Sequence, residues 1–288
     1  MRDEIYSREL RWNELFTKAM YLFAQNFREI FLVMLVLFLP VSLLESVILD
    51  RMTNLTQALQ QFVSAVNVPS AVVSAETYAQ MMQIAKQVLL HEGLYFALLL
   101  FLQPVGIIAI AKLIKAHIDG EQPSCKAVMA EALNLEPTIL VSGFFCGVLL
   151  FLGGMVIIPG IYLSVAWGLY LYCIGLGGRK GWDALRHSKE LVRGKWWRTL
   201  GYLYLLSAMA ALGNTALQSI LLLGDGSMLL QIVYRFLCYF CTAFVTIGEA
   251  LLFINREAMA GGMQLDGYHF EDGDAAQTEE DEEEKNKK

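Results

Sequence analysis

The sequence predicts an all-α protein, a polytopic bundle of six transmembrane helices. Three observations carry this: six apolar runs long enough to cross a membrane, a composition poor in charge, and a rhythm in which an amphipathic stretch precedes two apolar runs. That rhythm occurs three times, which predicts three repeats of an interfacial amphipathic helix plus a transmembrane hairpin. A helix rises roughly 1.5 Å per residue, so about twenty apolar residues cover a hydrocarbon core of about 30 Å. Only a helix satisfies its own backbone over such a run, and the runs lack the alternation of barrel strands. Hydrophobic residues make up 56% of the chain and charged residues 17%, a balance far from that of a soluble domain.

Taken in order, the first pair of spans is expected over 30–49 and 94–114, joined by a long outer segment, 50–91. Within that segment Tyr78, Met81, Met82, Ala85, Val88 and Leu89 recur at helical spacing. The pattern predicts a helix that caps the outer mouth or forms an oligomer contact. The second pair covers 138–157 and 161–176, with Pro159 and Gly160 as its turn. The third covers 199–223 and 228–254, separated by Gly224, Asp225 and Gly226. Together these make a membrane domain over 1–268. Residues 269–288 form an acidic tail, too polar to offset its ordering entropy and therefore expected to be disordered. From Glu271 onward nine acidic and three basic residues account for the whole net charge of −6. The tail would solubilise an exposed end or dock a basic partner.

Lys and Arg cluster on one side of this arrangement. Arg2, Arg8, Arg11, Lys18 and Arg28, then Lys112, Lys115 and Lys126, then seven cations from Arg179 to Arg198 share that face, whereas the outer connections hold Arg51 and Lys86. Both termini are therefore expected in the cytoplasm of a multi-pass cell-membrane protein. No cleavable leader is expected ahead of the first span, which would serve as its own insertion signal. The five cysteines make no framework, and Cys238 with Cys241 reads as packing inside a span.

The third amphipathic stretch shows what each copy does. Trp182, Leu185, Leu191 and Val192 can share an inner helical face, while Arg186, Lys189 and Arg193 point toward headgroups. Trp196, Trp197 and Arg198 follow where the chain enters the membrane, the depth that amphipathic aromatic rings prefer. The first copy overlays it, with Trp12, Leu15, Phe27 and Arg28 matching Trp182, Leu185, Trp197 and Arg198. The middle copy, from Pro123 to Leu133, is shorter. Such stretches imply contact with membrane lipids, anionic ones among them.

The run IIPGIYLSVAWGLYLYCIGL and the following GWDALRHSKELVRGKWWRTLG resemble a bacterial family of six-span membrane proteins of unknown function. They are also similar to the membrane domain attached to some glycerophosphoryl diester phosphodiesterases. ALLFINREAMAGGMQLDGY resembles that family's closing segment, with Ala260, Gly261 and Gly262 standing where the family carries an acidic residue and glycine. The resemblance implies a membrane domain without catalytic residues, because the phosphodiesterase domain has no counterpart here.

The last span holds the most informative polar groups. Arg235, Tyr239, Thr242, Thr246 and Glu249 fall at spacings that place all five on one helical face. The fifth span offers Ser207, Ala211, Asn214 and Gln218 at matching intervals, a small and polar stripe suited to face it. Charged groups at this depth demand partners. Depth pairs Arg235 with Glu45 in an outer clasp and Glu249 with Lys112 in an inner one. The constellation is a polar pathway, a headgroup site, or structural pairing that fixes which helices are neighbours.

Catalysis has no support in the pattern. His91, His117, His187 and His269 are scattered, with no metal spacing, phosphate-cradling loop or nucleophile elbow. No metal, cofactor or nucleic acid is expected. The leading reading is a lipid-associated scaffold or regulator with a membrane-protein partner. The alternative is a small transporter or lipid-handling protein using a polar interface between spans five and six.

Overall fold

The computed structural model describes residues 1–66, 75–122, 124–223 and 227–261, and all regular structure among them is helical. Two short helices lead in, α1 (Arg2–Ser7) and α2 (Trp12–Gln25), followed by the long α3 (Phe27–Val66) and α4 (Ala75–Asp119). Then come α5 (Cys125–Asn134), α6 (Glu136–Gly154), α7 (Ile157–Ala166), α8 (Tyr170–Gly175) and α9 (Gly181–Val192). The chain ends in α10 (Trp196–Leu223) and α11 (Met228–Met259). Six stretches are long and apolar enough to cross a membrane: Phe27–Leu49, Tyr78–Asp119, Glu136–Gly154, Ile158–Gly175, Trp196–Leu221 and Met228–Met259. The acidic tail, 269–288, and the turn at 224–226 lie outside the described residues.

The core gathers where α4 and α11 run together. Ile108, Ile110 and Ile114 of α4 and Leu251, Phe253 and Ile254 of α11 are fully enclosed, and Leu15, Ala19 and Leu22 of α2 cover them from one side. Leu15, Ala19 and Leu22 recur at four and three residues, so one stripe of α2 faces inward, whereas α4 and α11 are enclosed on all sides here.

The outer segment departs from a separate cap. Residues 50–66 and 75–91 continue α3 and α4, which are 40 and 45 residues long. At roughly 1.5 Å per residue each helix is about twice as long as a hydrocarbon core is thick. Nothing in 50–66 interrupts the helix: no proline or glycine follows Pro40 as far as Val66. Tyr78, Met82 and Leu89 of the expected apolar face are exposed. Lower down, the two helices close tightly because Gly106 lacks a side chain. A Cβ there would lie 2.3 Å from the Phe38 ring.

The second hairpin turns at Met155 and Val156, ahead of Pro159 and Gly160. Pro159 instead occupies the first turn of α7, where a helix has no use for the missing N–H. Gly160 lets α7 return directly against α6, since a Cβ there would lie 3.0 Å from the Gly154 Cα. The fourth span is also broken. It stops at Ala166, turns through Trp167–Leu169, and resumes as α8. Ser188 of α9 repairs the break: its hydroxyl donates to the Ala166 carbonyl at 2.9 Å and accepts from the Leu169 N–H at 3.3 Å. A buried interruption of this kind persists only when its backbone groups find such partners.

That repair fixes the place of α9. Its buried face is Ala184, Leu185, Ser188, Leu191 and Val192, and Leu185 joins Cys146, Ala166 and Trp167 in a second apolar cluster. The inner face expected from sequence is thus covered by protein, and Trp182 does not belong to it but stands exposed. Trp182 follows Gly181 at the very start of the helix and, at roughly 100° per residue, lies about 120° from the middle of the buried face formed by Ala184, Leu185, Ser188, Leu191 and Val192.

Candidate functional site

The polar face of α11 forms, with the outer pair that the sequence suggests but with a different inner partner. Arg235 Nη1 lies 3.0 Å from Glu45 Oε1, and the Tyr239 hydroxyl donates to Glu45 Oε2 at 3.1 Å. Arg235 and Tyr239 are one turn apart on α11, so together they grip one buried carboxylate on α3. Around it, Ser42 and Ser46 donate back to the carbonyls of Phe38 and Ser42, which satisfies both hydroxyls within the helix. Thr242 and Thr246 do the same on α11, donating to the carbonyls of Cys238 and Thr242.

Glu249 does not meet Lys112. Its Oε2 accepts a hydrogen bond of 2.8 Å from the Tyr172 hydroxyl on α8. Lys112 instead pairs with Glu131 at 2.7 Å, because α5 folds back alongside α4, and Lys115 pairs with Asp119 at 2.8 Å. A depth argument ranks residues by level along the bundle axis and cannot see that the broken fourth span places Tyr172 beside α11.

The expected interface of spans five and six is not a polar one. Ser207, Ala211 and Gln218 of α10 are exposed, and Asn214 is half-buried with its side-chain carbonyl unpartnered. Helix α10 meets α11 on another face, where Gly213 packs on Cys241 and Gly248 packs on Leu206 and Tyr202. Two glycines allow close approach there. The charged face is claimed by α3 and α8, which supply the carboxylate and the hydroxyl it needs.

A second polar centre sits at the inner end of α11, where Asn255, Arg256 and Glu257 are all buried. Asn255 Nδ2 donates to the carbonyls of Ile5 at 2.7 Å and Arg8 at 2.8 Å, and its Oδ1 accepts from the Leu10 N–H at 3.1 Å. One side chain thereby serves three backbone groups, one in α1 and two in the turn between α1 and α2. Arg256 donates to the Leu191 carbonyl and the Thr199 hydroxyl, both at 3.1 Å. Glu257 Oε2 lies 2.5 Å from His187 Nε2 on α9. Glu9 adds an ion-pair layer, with Lys195 at 2.6 Å and Arg198 at 3.1 Å. Burial works to raise the Glu9 carboxyl, but the Lys195 contact and the charges of Arg198, Lys195 and Arg256 outweigh it and hold it below its ordinary value. Sequence reasoning missed this centre. Its signal was three consecutive polar residues directly after the apolar run ALLFI.

The basic face of α9 is outward, as Arg186, Lys189 and Arg193 are all exposed. Arg186 pairs with Glu190 at 3.1 Å, whereas among the described residues no carboxylate pairs with Lys189 or Arg193. Trp196 is held at the start of α10, its ring stacked on Tyr162 and its Nε1 donating to the Tyr162 carbonyl at 3.3 Å. Trp197 beside it is exposed. Arg198, expected among the lipid contacts, is tied instead to Glu9 and to the Leu10 carbonyl at 3.2 Å. The α1–α2 turn reaches under α10 and supplies both acceptors.

Six apolar helices of crossing length and charged groups partnered within the bundle define a membrane protein of the helical class. Within that class, the chain belongs to the family of the domain of unknown function DUF7847, whose family model matches residues 83–254. That match is to an uncharacterised family and carries no link to glycerophosphoryl diester phosphodiesterases. No curated protein and no solved structure matches the chain. The inner polar centre, Asn255 to Glu257 with α1 and Glu9, lies beyond the matched residues.

Proposed function

We propose that this chain is a non-catalytic, multi-pass protein of a cell membrane that works as a lipid-associated scaffold or regulator of a membrane-protein partner, with both termini in the cytoplasm. The observation that carries this reading is the pairing of the ionisable groups on the polar face of α11. Arg235 and Glu45 are spent on each other, and Glu249 is spent on Tyr172, so the polar face glues α11 to α3 and α8. Groups that convey a solute need an opening to bind and release it. Helix-fixing pairs need only each other.

The repeat belongs to the same reading: α2, α5 and α9 each precede a long apolar helix. What supports it is the likeness of corresponding positions. Trp12 and Trp182 are 63% and 62% exposed, Leu15 and Leu185 are 3% and 1% exposed, and Phe27 and Trp197 are both exposed. Exposed aromatic rings at the starts of α2 and α9 suit the headgroup depth of a bilayer.

The test is native mass spectrometry of the protein released gently from its own membrane. The scaffold reading expects a stoichiometric protein partner and no solute whose retention depends on Arg235 or Glu249. A retained solute lost on Arg235→Ala or Glu249→Ala overturns it in favour of transport.

A further inference from the structure

We propose that the cleft between α7 and α9 binds the phosphate-bearing headgroup of an anionic phospholipid, gripped by Lys189 and Arg193. This deepens the lipid-associated reading above and rests on its placement of α9 at the membrane surface. The cleft has a volume of about 500 Å³ and is lined by Tyr162, Arg186, Lys189, Glu190 and Arg193. Three cations at positions 186, 189 and 193 fall on one helical face, which brings like charges together at a cost unless an anion joins them. Glu190 neutralises Arg186 at 3.1 Å, so the charge left over is that of Lys189 and Arg193. Both can donate to phosphate oxygens, Arg193 through two parallel N–H groups.

The surroundings choose the source of the phosphate. Ile158 and Ile161, on the same helix as the lining Tyr162, and Trp197, packed on the Trp196 ring that stacks on Tyr162, are exposed. A free phosphate has no use for an apolar flank, whereas a phospholipid brings acyl chains that cover one. The wall is also built in advance. Tyr162 is fixed by its stacking on Trp196, and α9 is pinned by Ser188 to the break in the fourth span. A rigid wall lowers the ordering cost of binding.

The experiment uses the full-length protein in detergent with phosphatidylglycerol and phosphatidylcholine at equal concentration, read by native mass spectrometry. The expected result is one tightly held phosphatidylglycerol, with its preference over phosphatidylcholine falling about tenfold or more in Lys189→Gln/Arg193→Gln. A control, Lys126→Gln/Lys180→Gln, removes two cations elsewhere on the same face and should keep the preference. Both mutated side chains of the test variant are exposed, and each single variant repeats the reading with one cation left. Equal preference in wild type and double variant overturns the proposal, and so does equal loss in the control, which would mean surface charge alone. Displacement by glycerol phosphate at the same concentration assigns the cleft to a soluble phosphate and overturns the lipid occupant. None of these outcomes depends on Arg235 or Glu249, so the scaffold reading stands or falls separately.

Discussion

The inner end of the bundle and its outer arm are made of the same helices and are held in opposite ways. At the inner end, three consecutive side chains of α11 bind three other elements: the α1–α2 segment, α9 and α10. In the outer arm, α3 runs on to Val66 and α4 begins at Ala75, with Tyr78, Leu89 and Leu90 exposed. Directional bonds determine where elements sit, while apolar surface without cover determines only that something can sit on it. The Arg235–Glu45 pair marks the transition between the two, closing the root of the arm onto α11.

Breaking that root should have the largest effect. Arg235→Ala strands the Glu45 carboxylate in apolar surroundings, a loss of about 3–5 kcal/mol for a buried pair reduced to one charge. Folded yield and the thermal unfolding midpoint in detergent should both fall. Arg235→Glu and Glu45→Arg should each do the same, and the double exchange should recover part of the loss. Equal damage in all three would show that the pairing is not what holds the helices.

The inner end should respond next. Asn255→Leu removes three hydrogen bonds to backbone groups and leaves them buried, at a cost of about 2–3 kcal/mol. Limited trypsinolysis should then cut at Arg8 and Arg11 well before the rest of the chain. The helix contact below the arm is a subtler probe. Gly106→Ala drives a Cβ into the Phe38 ring and should cost about 1–3 kcal/mol, with Phe38→Leu in the same chain relieving part of it.

The Glu9 layer should be sensitive to acid. Its carboxyl titrates below the ordinary value, so its contribution is complete above the unfolded-state titration and is lost as pH falls through the folded one. Opening of residues 1–11, read as loss of hydrogen-exchange protection, should therefore rise as the solution is acidified below about pH 4.5. Glu9→Gln should flatten that rise. The smallest effect is expected in the arm itself, where Leu89→Ser with Leu90→Ser should change the unfolding midpoint by no more than a surface substitution does, about 0.5 kcal/mol.

Much of this plan is readable from the chain because membrane crossing depends on length and apolarity, which are local. The six apolar helices, the shared face of Arg235 and Tyr239, and the outward turn of Arg186, Lys189 and Arg193 all follow from spacing. The errors share a different origin. Glu249 finds Tyr172 rather than Lys112 because the fourth span breaks at Trp167, and the break survives only through Ser188, nineteen and twenty-two residues away in sequence from the two backbone groups it serves. No periodicity signals such a repair. The same is true of Asn255, whose partners lie about 250 residues earlier in the chain. Span five misled for another reason: small and polar residues suit helix contact, yet α11 offers α10 its glycine face and keeps its charges for α3 and α8.

The central claim is that the polar face of α11 is closed, and side-chain accessibility measures this directly. In a variant whose five cysteines are replaced by alanine or serine, single cysteines at Thr242 and Thr246 would be exposed to a charged thiol reagent added to either side of sealed vesicles. The account predicts that neither reacts, while a control cysteine at Glu190 is modified readily. Modification of Thr242→Cys or Thr246→Cys at a rate comparable to that control would show a water-filled path along the face and contradict the scaffold reading.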